Sequence, residues 1–307
     1  MSKKTEIEVA GKKLMVSNLD KVLYPEAGFT KGQVIDYYIR IAPVLLPHLK
    51  NRPITLKRYP DGVDGFFFYE KQCPSHRPDW VKTAEVASRR EAGKIDYCLM
   101  NDLPALVWAA NLADLELHTF LHRAPAITRP NALAFDLDPG PPADIVLCCC
   151  VGLWLRSIFD DLGIQSLPKT SGSKGLQIFV PLNTATTYEK TKAFAHSLAQ
   201  RLESEHPGEV VSRMQKALRE GKVLIDWSQN DEHKTTVSVY SLRAKAQPTV
   251  STPVTWDEVE TVAKKGNASR LIFDSEAVLK RVNQRGDLFA PLLTLKQRLP
   301  SLRTIAT

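Results

Sequence analysis

Apolar side chains recur at helical spacing in one early segment of the chain and follow strand-like patterns in several others. In residues 31–49 they fall three or four positions apart, which predicts an amphipathic helix. Short apolar or alternating runs predict strands at residues 53–59, 66–70 and 116–120. A helical pattern at 103–115 precedes the last of these. The first third of the chain is therefore expected to mix helices and strands.

The second half shows a more regular order. Strands are predicted at residues 132–138, 176–180 and 222–226, and helices at 143–162, 188–205 and 212–220. Gly152 is a potential interruption of the first of these helices. Strands that alternate with helices predict an α/β layer in which helices pack on a sheet. Beyond residue 248 the chain is polar and then helical.

Composition limits the class of protein without naming its function. The chain has 307 residues, of which 43% are hydrophobic and 24% are charged, as in an ordinary globular protein. Its net charge is +7 and its pI about 9.1, which is compatible with a polyanionic partner. No run of about eighteen uncharged apolar residues exists, and the basic N-terminus has no apolar core behind it. We therefore expect neither a membrane span nor a signal peptide.

The five cysteines favour a protein of the reducing cytoplasm. Three of them are adjacent, Cys148 to Cys150, and are expected to be thiols in the apolar stretch of a helix rather than metal ligands. Cys73 and Cys98 stand apart, and the odd total fits poorly with a disulfide scaffold.

Carboxylates give the first chemical signal. Asp136 and Asp138 lie two positions apart in a predicted strand, so they project from the same face, where they repel each other unless a proton or a cation intervenes. Alone, such a pair is most simply a solvated strand end. Asp226 changes the balance, because it ends a mostly apolar strand, and a buried carboxylate is costly unless it is paired or metal-bound. If the two strands are neighbours, three carboxylates meet, enough for two divalent ions in nucleotidyl transfer.

A loop with glycine, serine and lysine lies between two predicted elements of the same half. Residues 171–175 read Ser-Gly-Ser-Lys-Gly, whose glycines let backbone N–H groups turn toward an anion while Ser171 and Lys174 add donors and charge. The spacing is not that of a Walker loop, and a strand rather than a helix follows. Such loops are usually only loops, but with three carboxylates the loop is suited to a nucleoside triphosphate and its metal.

These motifs together resemble a known family. FDLDPG (135–140), TSGSKGLQIFVPL (170–182) and VLIDWSQN (223–230) are similar to the three motifs of the archaeo-eukaryotic primase superfamily, and above all to the polymerase domain of bacterial ligase D. The resemblance extends to DKVLYP, GFTK, LKRYPDGVDG, FYEKQ, LELH and KTTVSVYSLR, so it covers roughly residues 14–250. It implies an α+β, primase-like fold with mostly antiparallel sheets and an RRM-like catalytic half flanked by helices.

The resemblance also implies roles for individual residues. The three aspartates Asp136, Asp138 and Asp226 would be catalytic and would bind two ions of Mn²⁺ or Mg²⁺. Residues that would contact or flank the incoming nucleotide are His118, Ser171, Lys174, Gln229, Arg243, Lys57, Arg58, Phe68 and Tyr69. Residues that would grip the 5′-phosphate across a DNA gap or break are Asn18, Lys21 and Lys31. His118 has a simpler reading as a satisfied core histidine, and Lys21 and Lys31 as surface lysines.

The expected protein is thus a repair polymerase of bacterial non-homologous end joining. It would add NTPs or dNTPs to a 3′-hydroxyl at gapped or broken DNA, in the cytoplasm at the nucleoid. A Ku-type end-binding protein and an ATP-dependent DNA ligase are partners implied by the resemblance. We expect one polymerase domain over residues 1–307, with a DNA-end lobe to about 130, a catalytic half over 131–250 and a helical segment over 251–307.

Two other classes compete with this interpretation. A glycosyltransferase with a DxD motif would explain Asp136 and Asp138, but not Asp226 or the phosphate loop. A non-catalytic end-binding module would explain the basic charge, but not a complete set of candidate metal ligands. No KxDG adenylation motif is present, since Asp61 and Gly62 lack the lysine, so the chain itself is not expected to ligate DNA.

Overall fold

The structure is a computed structural model that describes residues 4–88 and 93–301. It divides into two compact units, each made of three segments of the chain. Unit 1 takes its described residues from 1–125, 235–251 and 274–286, and unit 2 from 126–234, 252–273 and 287–307. Residues 235–251 thus belong to the unit of the first 125 residues, although we expected them in the catalytic half. The end of the predicted helical segment, 302–307, lies outside the described residues.

The described residues form short strands and helices of mixed length. The strands are β1 (Lys4–Val9), β2 (Lys12–Ser17), β3 (Val22–Tyr24), β4 (Phe29–Thr30), β5 (Pro53–Arg58), β6 (Phe68–Glu70), β7 (Thr83–Ala87), β8 (Lys94–Leu99), β9 (Asp114–Thr119), β10 (Ala132–Pro139), β11 (Leu167–Thr170), β12 (Leu176–Pro181), β13 (Val210–Val211), β14 (Val223–Asp226) and β15 (Thr236–Val237). The helices are α1 (Lys31–Leu49), α2 (Leu103–Asn111), α3 (Ile145–Asp161), α4 (Tyr188–Glu205), α5 (Trp256–Lys265), α6 (Ser275–Arg285) and α7 (Pro291–Thr294). Short 3-10 turns lie at Lys216–Leu218, Trp227–Gln229 and Ala268–Leu271.

Unit 1 contains a six-stranded antiparallel sheet. The order is β15-β9-β5-β8-β7, and β6 pairs with the second half of β5. The pairing of β15 with β9 accounts for the return of residues 235–251 to this unit, because Thr236 lies opposite Thr119. Two hairpin-like pairs, β1 with β2 and β3 with β4, complete its strands.

Unit 2 contains a five-stranded sheet in the order β11-β12-β10-β14-β13. All neighbours are antiparallel except β13 and β14, which are parallel. Apolar residues of β10, β12 and β14 pack with α3, α4 and α5 in one buried cluster. This burial of both sheet and helix faces is what holds the central strand β10, and the aspartates on it, in place.

Most predicted elements are confirmed, and one is wrong. α1 and α4 have the predicted bounds, and α1 begins with a capping box between Thr30 and Gln33. α3 runs through Gly152 without a break. A Cβ at this position would lie only 3.1 Å from the Leu176 side chain, so the glycine lets the helix and the sheet approach closely. The helix predicted at 212–220 is absent apart from a 3-10 turn, because residues 213–217 are exposed and bury no apolar face. The mixed α/β class with mostly antiparallel sheets is confirmed.

Cysteines differ in part from expectation. The run in α3 consists of free thiols, buried at Cys148 and Cys149, as predicted. Cys73 and Cys98, however, form a disulfide with a Cα–Cα distance of 5.0 Å. The Cys73 N–H donates to the carbonyl oxygen of Asp96 at 2.7 Å, and Asp96 lies on β8 two residues before Cys98. This backbone contact holds the two cysteines close together, which the odd number of cysteines in the sequence did not suggest.

None of the helices within the described ranges combines the length and the apolar character that crossing a membrane requires.

Candidate active site

The three predicted aspartates lie on adjacent strands of unit 2. Asp136 of β10 is directly opposite Asp226 of β14 in the antiparallel register, and Asp138 follows two residues further along β10. Because alternate residues of a strand share a face, the three side chains project from one face of the sheet. The structure therefore brings together the carboxylates that the sequence singled out.

Asp226 is engaged by the turn that follows it. Its Oδ1 accepts hydrogen bonds from the Ser228 N–H at 2.9 Å and the Ser228 hydroxyl at 2.5 Å. Its Oδ2 accepts a bond of 2.9 Å from Nε2 of Gln229, a residue predicted to flank the nucleotide. The Lys234 ammonium in turn donates to the Ser228 hydroxyl. Asp226 thus caps its own turn and holds Gln229 beside the carboxylates.

The environment of Asp136 suits a cation. Burial, and after it the neighbouring charges of Asp138 and Asp226, raise its pKa to about 6. Oxygen-only donors of this kind match hard divalent ions such as Mg²⁺ or Mn²⁺. As the side chains stand, however, no three acidic, histidine or cysteine groups within residues 4–88 and 93–301 are arranged around a metal position. The donors therefore fit a divalent ion chemically, while the Asp226 oxygens also accept hydrogen bonds from their own turn.

Two polar residues that the sequence did not single out extend this row across the sheet. Gln177 of β12 lies opposite Asp136 on one side and opposite Lys169 of β11 on the other. Its side chain hydrogen-bonds Asp136 and accepts a bond from the fully buried Lys169 ammonium. The sequence could have indicated both residues through Lys169, because a lysine in an otherwise apolar strand needs a polar partner when it is buried.

The predicted phosphate loop folds back on itself. The Ser171 hydroxyl accepts from the N–H groups of Ser173 at 3.2 Å and Gly175 at 3.1 Å. Lys174 donates to the Pro139 carbonyl oxygen at 2.9 Å and lies 3.8 Å from the Asp138 carboxylate. Gly175 is required by a close approach, because a Cβ there would stand 2.3 Å from the Leu137 carbonyl oxygen. The loop is therefore fixed against the strand that carries Asp136 and Asp138.

A second group of predicted residues gathers in unit 1 around Glu116. His118 Nε2 lies 3.0 Å and Lys57 Nζ 3.4 Å from Glu116 Oε2, and Arg243 Nε lies 3.3 Å from Oε1. Tyr69, 55% exposed, places its ring edge-on to His118 at 6.0 Å between centroids. Glu116 itself was not among the predicted site residues. Its signal was the shared alternation of Glu116 and His118 in one strand.

The sequence assigned both members of two adjacent pairs to the nucleotide site, but adjacent residues of a strand point to opposite faces of the sheet. Lys57 is opposite Tyr69, whereas Arg58 is opposite Phe68. The Arg58 guanidinium lies 5.1 Å from the Phe68 ring and bonds Glu70 at 2.8 Å. One member of each pair, Lys57 and Tyr69, therefore stands with the Glu116 group, and the other, Arg58 and Phe68, stands on the opposite face of the strands.

The residues assigned to a 5′-phosphate are joined by backbone contacts. The Lys21 N–H donates to the Asn18 carbonyl oxygen at 3.0 Å, and the Lys31 N–H to that of Lys21 at 2.8 Å. Lys21 also contacts Asp61, at 3.2 Å. Burial, and after it the positive charges of Lys21 and Arg58, lower the pKa of Lys31 to about 8. Positive charges that repel one another in this way are typical of a site that binds an anion, because the anion relieves the repulsion.

The chain matches known proteins over most of its length. The family described as LigD, primase-polymerase domain, matches residues 30–289. A multifunctional non-homologous end joining protein LigD from Mycolicibacterium smegmatis is 40% identical over 282 residues, which cover 91% of this chain and 36% of that protein. A bifunctional relative from Bacillus subtilis is 31% identical over 275 residues, 89% of this chain and 43% of the relative. The chain thus spans well under half of the length of these relatives.

A solved structure is similar as well. The polymerase domain from Mycobacterium tuberculosis ligase D in complex with DNA aligns with a TM-score of 0.85 and 38% identity. The match covers 92% of this chain and 99% of that structure.

Proposed function

This chain belongs to the LigD primase-polymerase family, and from that premise we propose that it is a DNA-end repair polymerase. It adds NTPs or dNTPs to a 3′-hydroxyl, directed by a template, at gaps or double-strand breaks that carry a 5′-phosphate. The family as a whole is metal-dependent. Membership in it also sets aside the glycosyltransferase alternative.

The observation that carries the proposal is the row of aspartates beside a basic loop in unit 2. Asp136 and Asp226 lie opposite each other, Asp138 follows on the same face, and Lys174 lies 3.8 Å from Asp138. A nucleotidyl transfer needs carboxylates that hold cations and a basic group for the phosphates. Both requirements are met by residues of one unit.

Asp136, Asp138 and Asp226 are the proposed metal ligands. When bound, two divalent ions, Mn²⁺ or Mg²⁺, would lower the pKa of the attacking 3′-hydroxyl and neutralise the triphosphate and departing pyrophosphate. Gln177 orients the Asp136 carboxylate through a side-chain hydrogen bond, and the buried Lys169 holds Gln177 by a second hydrogen bond. Ser171 and Lys174 bind phosphate oxygens, and Gln229 flanks the nucleotide.

Unit 1 supplies two further groups in this proposal. Lys57, His118, Arg243 and Tyr69 bind the incoming nucleotide, supported by their common contacts around Glu116. Asn18, Lys21 and Lys31 bind the 5′-phosphate, supported by the cation cluster that lowers the pKa of Lys31 through burial and charge. Arg58 and Phe68, predicted for the nucleotide, stand beside the second group rather than the first, so we assign them to DNA.

Broader assignments follow from the family resemblance. We propose a preference for ribonucleotides and Mn²⁺, action with a Ku-type end-binding protein and an ATP-dependent DNA ligase, and a place in the bacterial cytoplasm at the nucleoid. The domain is proposed as a single polymerase domain of non-homologous end joining.

One observation favours a second candidate function. Both oxygens of Asp226 are taken by its own turn, and the described side chains form no metal arrangement as they stand. A DNA-end-binding module without catalysis would tolerate this. It remains the second candidate because it leaves the row of carboxylates without a purpose.

Primer extension on a short gapped duplex with a 5′-phosphate tests the proposal. We expect templated addition with Mn²⁺ or Mg²⁺, and the reaction with NTPs and dNTPs in turn ranks the substrates. Addition that ignores the template, or none with any divalent ion while gapped DNA binds tightly, would favour the end-binding module.

A further inference from the structure

Glu116 is a buried carboxylate whose partners among the described residues are two cationic side chains, a backbone N–H and a histidine. Its side chain is 2% exposed. Oε2 lies 3.0 Å from His118 Nε2 and 3.4 Å from Lys57 Nζ, while Oε1 lies 3.3 Å from Arg243 Nε and accepts the Ala244 N–H at 3.0 Å. The partners come from β5, from β9 and from the segment after β15, so one carboxylate ties three parts of unit 1 together.

These contacts fix the charge of Glu116. Lys57 Nζ, Arg243 Nε and the Ala244 N–H can only donate, so three of the four partners favour an ionised carboxylate, which can only accept. Burial opposes ionisation, but the hydrogen bond with His118 and the charges of Arg243 and Lys57 outweigh it and hold the pKa of Glu116 well below its usual range. Glu116 is therefore an anion that only accepts hydrogen bonds.

The charge of Glu116 decides where His118 carries its hydrogen. Since the carboxylate only accepts, Nε2 of His118 must be the donor in the contact of 3.0 Å. In a neutral ring the other nitrogen, Nδ1, is then an acceptor. Nδ1 has no hydrogen-bond partner in the part of the chain that the structure describes, so it is the nitrogen left to meet a ligand.

A neutral His118 held in this way is mismatched to a triphosphate. Phosphate oxygens accept hydrogen bonds, and so does Nδ1, so the contact needs a proton on Nδ1. Burial lowers the pKa of His118, the bond to Glu116 partly offsets this, and the charges of Arg243 and Lys57 lower it again. Tyr69 faces the same ring from β6. The free protein therefore presents the uncharged ring.

We propose that Glu116 is a positioning residue of the nucleotide site, which holds Lys57, His118 and Arg243 in place and fixes the Nε2–H form of His118, so that a bound triphosphate brings a proton onto Nδ1. The inference rests on the proposed assignment of His118 to the triphosphate. Nucleotide binding is thereby coupled to uptake of a proton, and nucleotides bind more weakly as the pH rises.

The first test reads the tautomer in the free protein. Nitrogen NMR of the imidazole ring, assigned with His118→Gln, is expected to show a hydrogen on Nε2 and none on Nδ1 in the wild type. In Glu116→Gln the second tautomer becomes detectable, because the amide offers a single acceptor to several donors. A wild-type ring with its hydrogen on Nδ1 overturns the proposal.

The second test measures proton uptake by calorimetry in buffers with different ionisation enthalpies. A magnesium nucleoside triphosphate is titrated at about pH 8, well above the phosphate pKa of about 6, so that its own phosphates are ionised. We expect uptake of about one proton by the wild type and almost none by His118→Gln. Glu116→Gln raises KM for the nucleotide by about tenfold with kcat within about twofold, because it weakens a binding contact rather than the chemical step.

Glu85→Gln is the matched control, since Glu85 lies on β7 at the far edge of the same sheet and pairs with the exposed Lys94 of β8. It should behave as the wild type. Nucleotide that binds the wild type without proton uptake overturns the inference alone. A wild type that binds no nucleotide overturns the assignment of this site and the inference with it. Should Glu116→Gln fail to fold, the wild type and His118→Gln still decide the question.

Discussion

The half-buried Asp136 and the buried Glu116 are held in opposite ways, and their neighbours decide which. Asp136 stands among carboxylates, and burial together with Asp138 and Asp226 raises its pKa to about 6. Glu116 stands among donors, and despite burial its partners hold its pKa well below the usual range. Asp136 therefore stands where a cation would relieve the repulsion between carboxylates, whereas Glu116 already has cationic partners in the chain. The first arrangement suits chemistry with a metal, and the second suits the fixing of other side chains.

Glu116 predicts a specific loss of stability in acid. Its folded pKa is depressed, so its contribution to the free energy of unfolding is full above the unfolded value of about 4.5 and is lost as the pH falls below it. Glu116→Gln should lower the free energy of unfolding at neutral pH by about 3–5 kcal/mol, since a buried ion pair loses one charge. It should also flatten the decline between about pH 5 and pH 3. Urea titrations across that range measure both, and an unchanged acid profile would contradict the account.

At the scale of the secondary-structure elements, the alternation of side chains along the strands decides which predicted residues share a face of the six-stranded sheet. The sequence pairs Lys57 with Arg58 and Phe68 with Tyr69 by adjacency, but neighbours in a strand point to opposite faces. The six-stranded sheet therefore carries the Glu116 group on one face and Arg58 with Phe68 on the other. Two adjacent aromatic residues thus serve two ligands in our account.

The two aromatic residues predict different losses on truncation. Tyr69→Ala should raise KM for the nucleotide by about tenfold, the size of one stacking contact, with little effect on the affinity for gapped DNA. Phe68→Ala should instead weaken the affinity for gapped DNA and leave KM for the nucleotide nearly unchanged. Steady-state kinetics and fluorescence anisotropy on the same duplex separate the two effects. Equal effects of both variants on KM would reject the division by faces.

The loop after β11 depends on a glycine that has no room for a side chain. In Gly175→Ala, the new Cβ would meet the Leu137 carbonyl oxygen at 2.3 Å, so the loop or β10 must shift. We expect a loss of about 1–3 kcal/mol in the free energy of unfolding by overpacking, and a marked loss of nucleotide addition. Gly208→Ala, with nothing within 4 Å of its Cβ, is the control. Thermal unfolding and primer extension check both, and a fully active Gly175→Ala would remove the loop from the site.

Local patterns foretold much of the fold and of the site, and the failures have physical causes. α1, α4 and the strands of Asp136 and Asp226 follow from periodicity and burial of apolar residues. The sequence singled out the three aspartates because a carboxylate in an apolar strand needs a partner, and the structure places them on neighbouring strands, while their role as metal ligands stays a prediction. Glu116, Gln177 and Lys169 were missed because their partners come from other strands, and such pairing is not written in local sequence. The disulfide of Cys73 was missed for the same reason.

On the scale of the whole molecule, the chain leaves unit 1 and returns to it twice. The sequence suggested three consecutive segments, because a pattern read along the chain favours contiguous lobes. The return at 235–251 supplies β15 and Arg243 to unit 1. The excess positive charge of +7 is a property of the whole chain as well, and it favours binding of DNA that weakens with salt.

Selectivity for the DNA end predicts a difference between two lysines. Lys21 contacts Asp61 in an exposed pair, which is easily exchanged for a phosphate. Lys21→Ala should weaken binding to gapped DNA with a 5′-phosphate by about tenfold, the size of one bond to a charged group, and spare 5′-hydroxyl DNA. Lys13→Ala, another exposed lysine of unit 1, should weaken both slightly and equally. Anisotropy titrations decide it, and equal weakening by Lys21→Ala would make Lys21 a general backbone contact.

The most direct test of metal-dependent polymerisation is the comparison of the wild type with Asp136→Ala on one gapped duplex that carries a 5′-phosphate. Nucleotide addition with Mn²⁺ and binding of the duplex are measured side by side. We expect templated addition by the wild type, its loss in Asp136→Ala, and nearly unchanged DNA binding. Addition that survives in Asp136→Ala would contradict the account, and joint loss of addition and binding would give Asp136 a structural role instead.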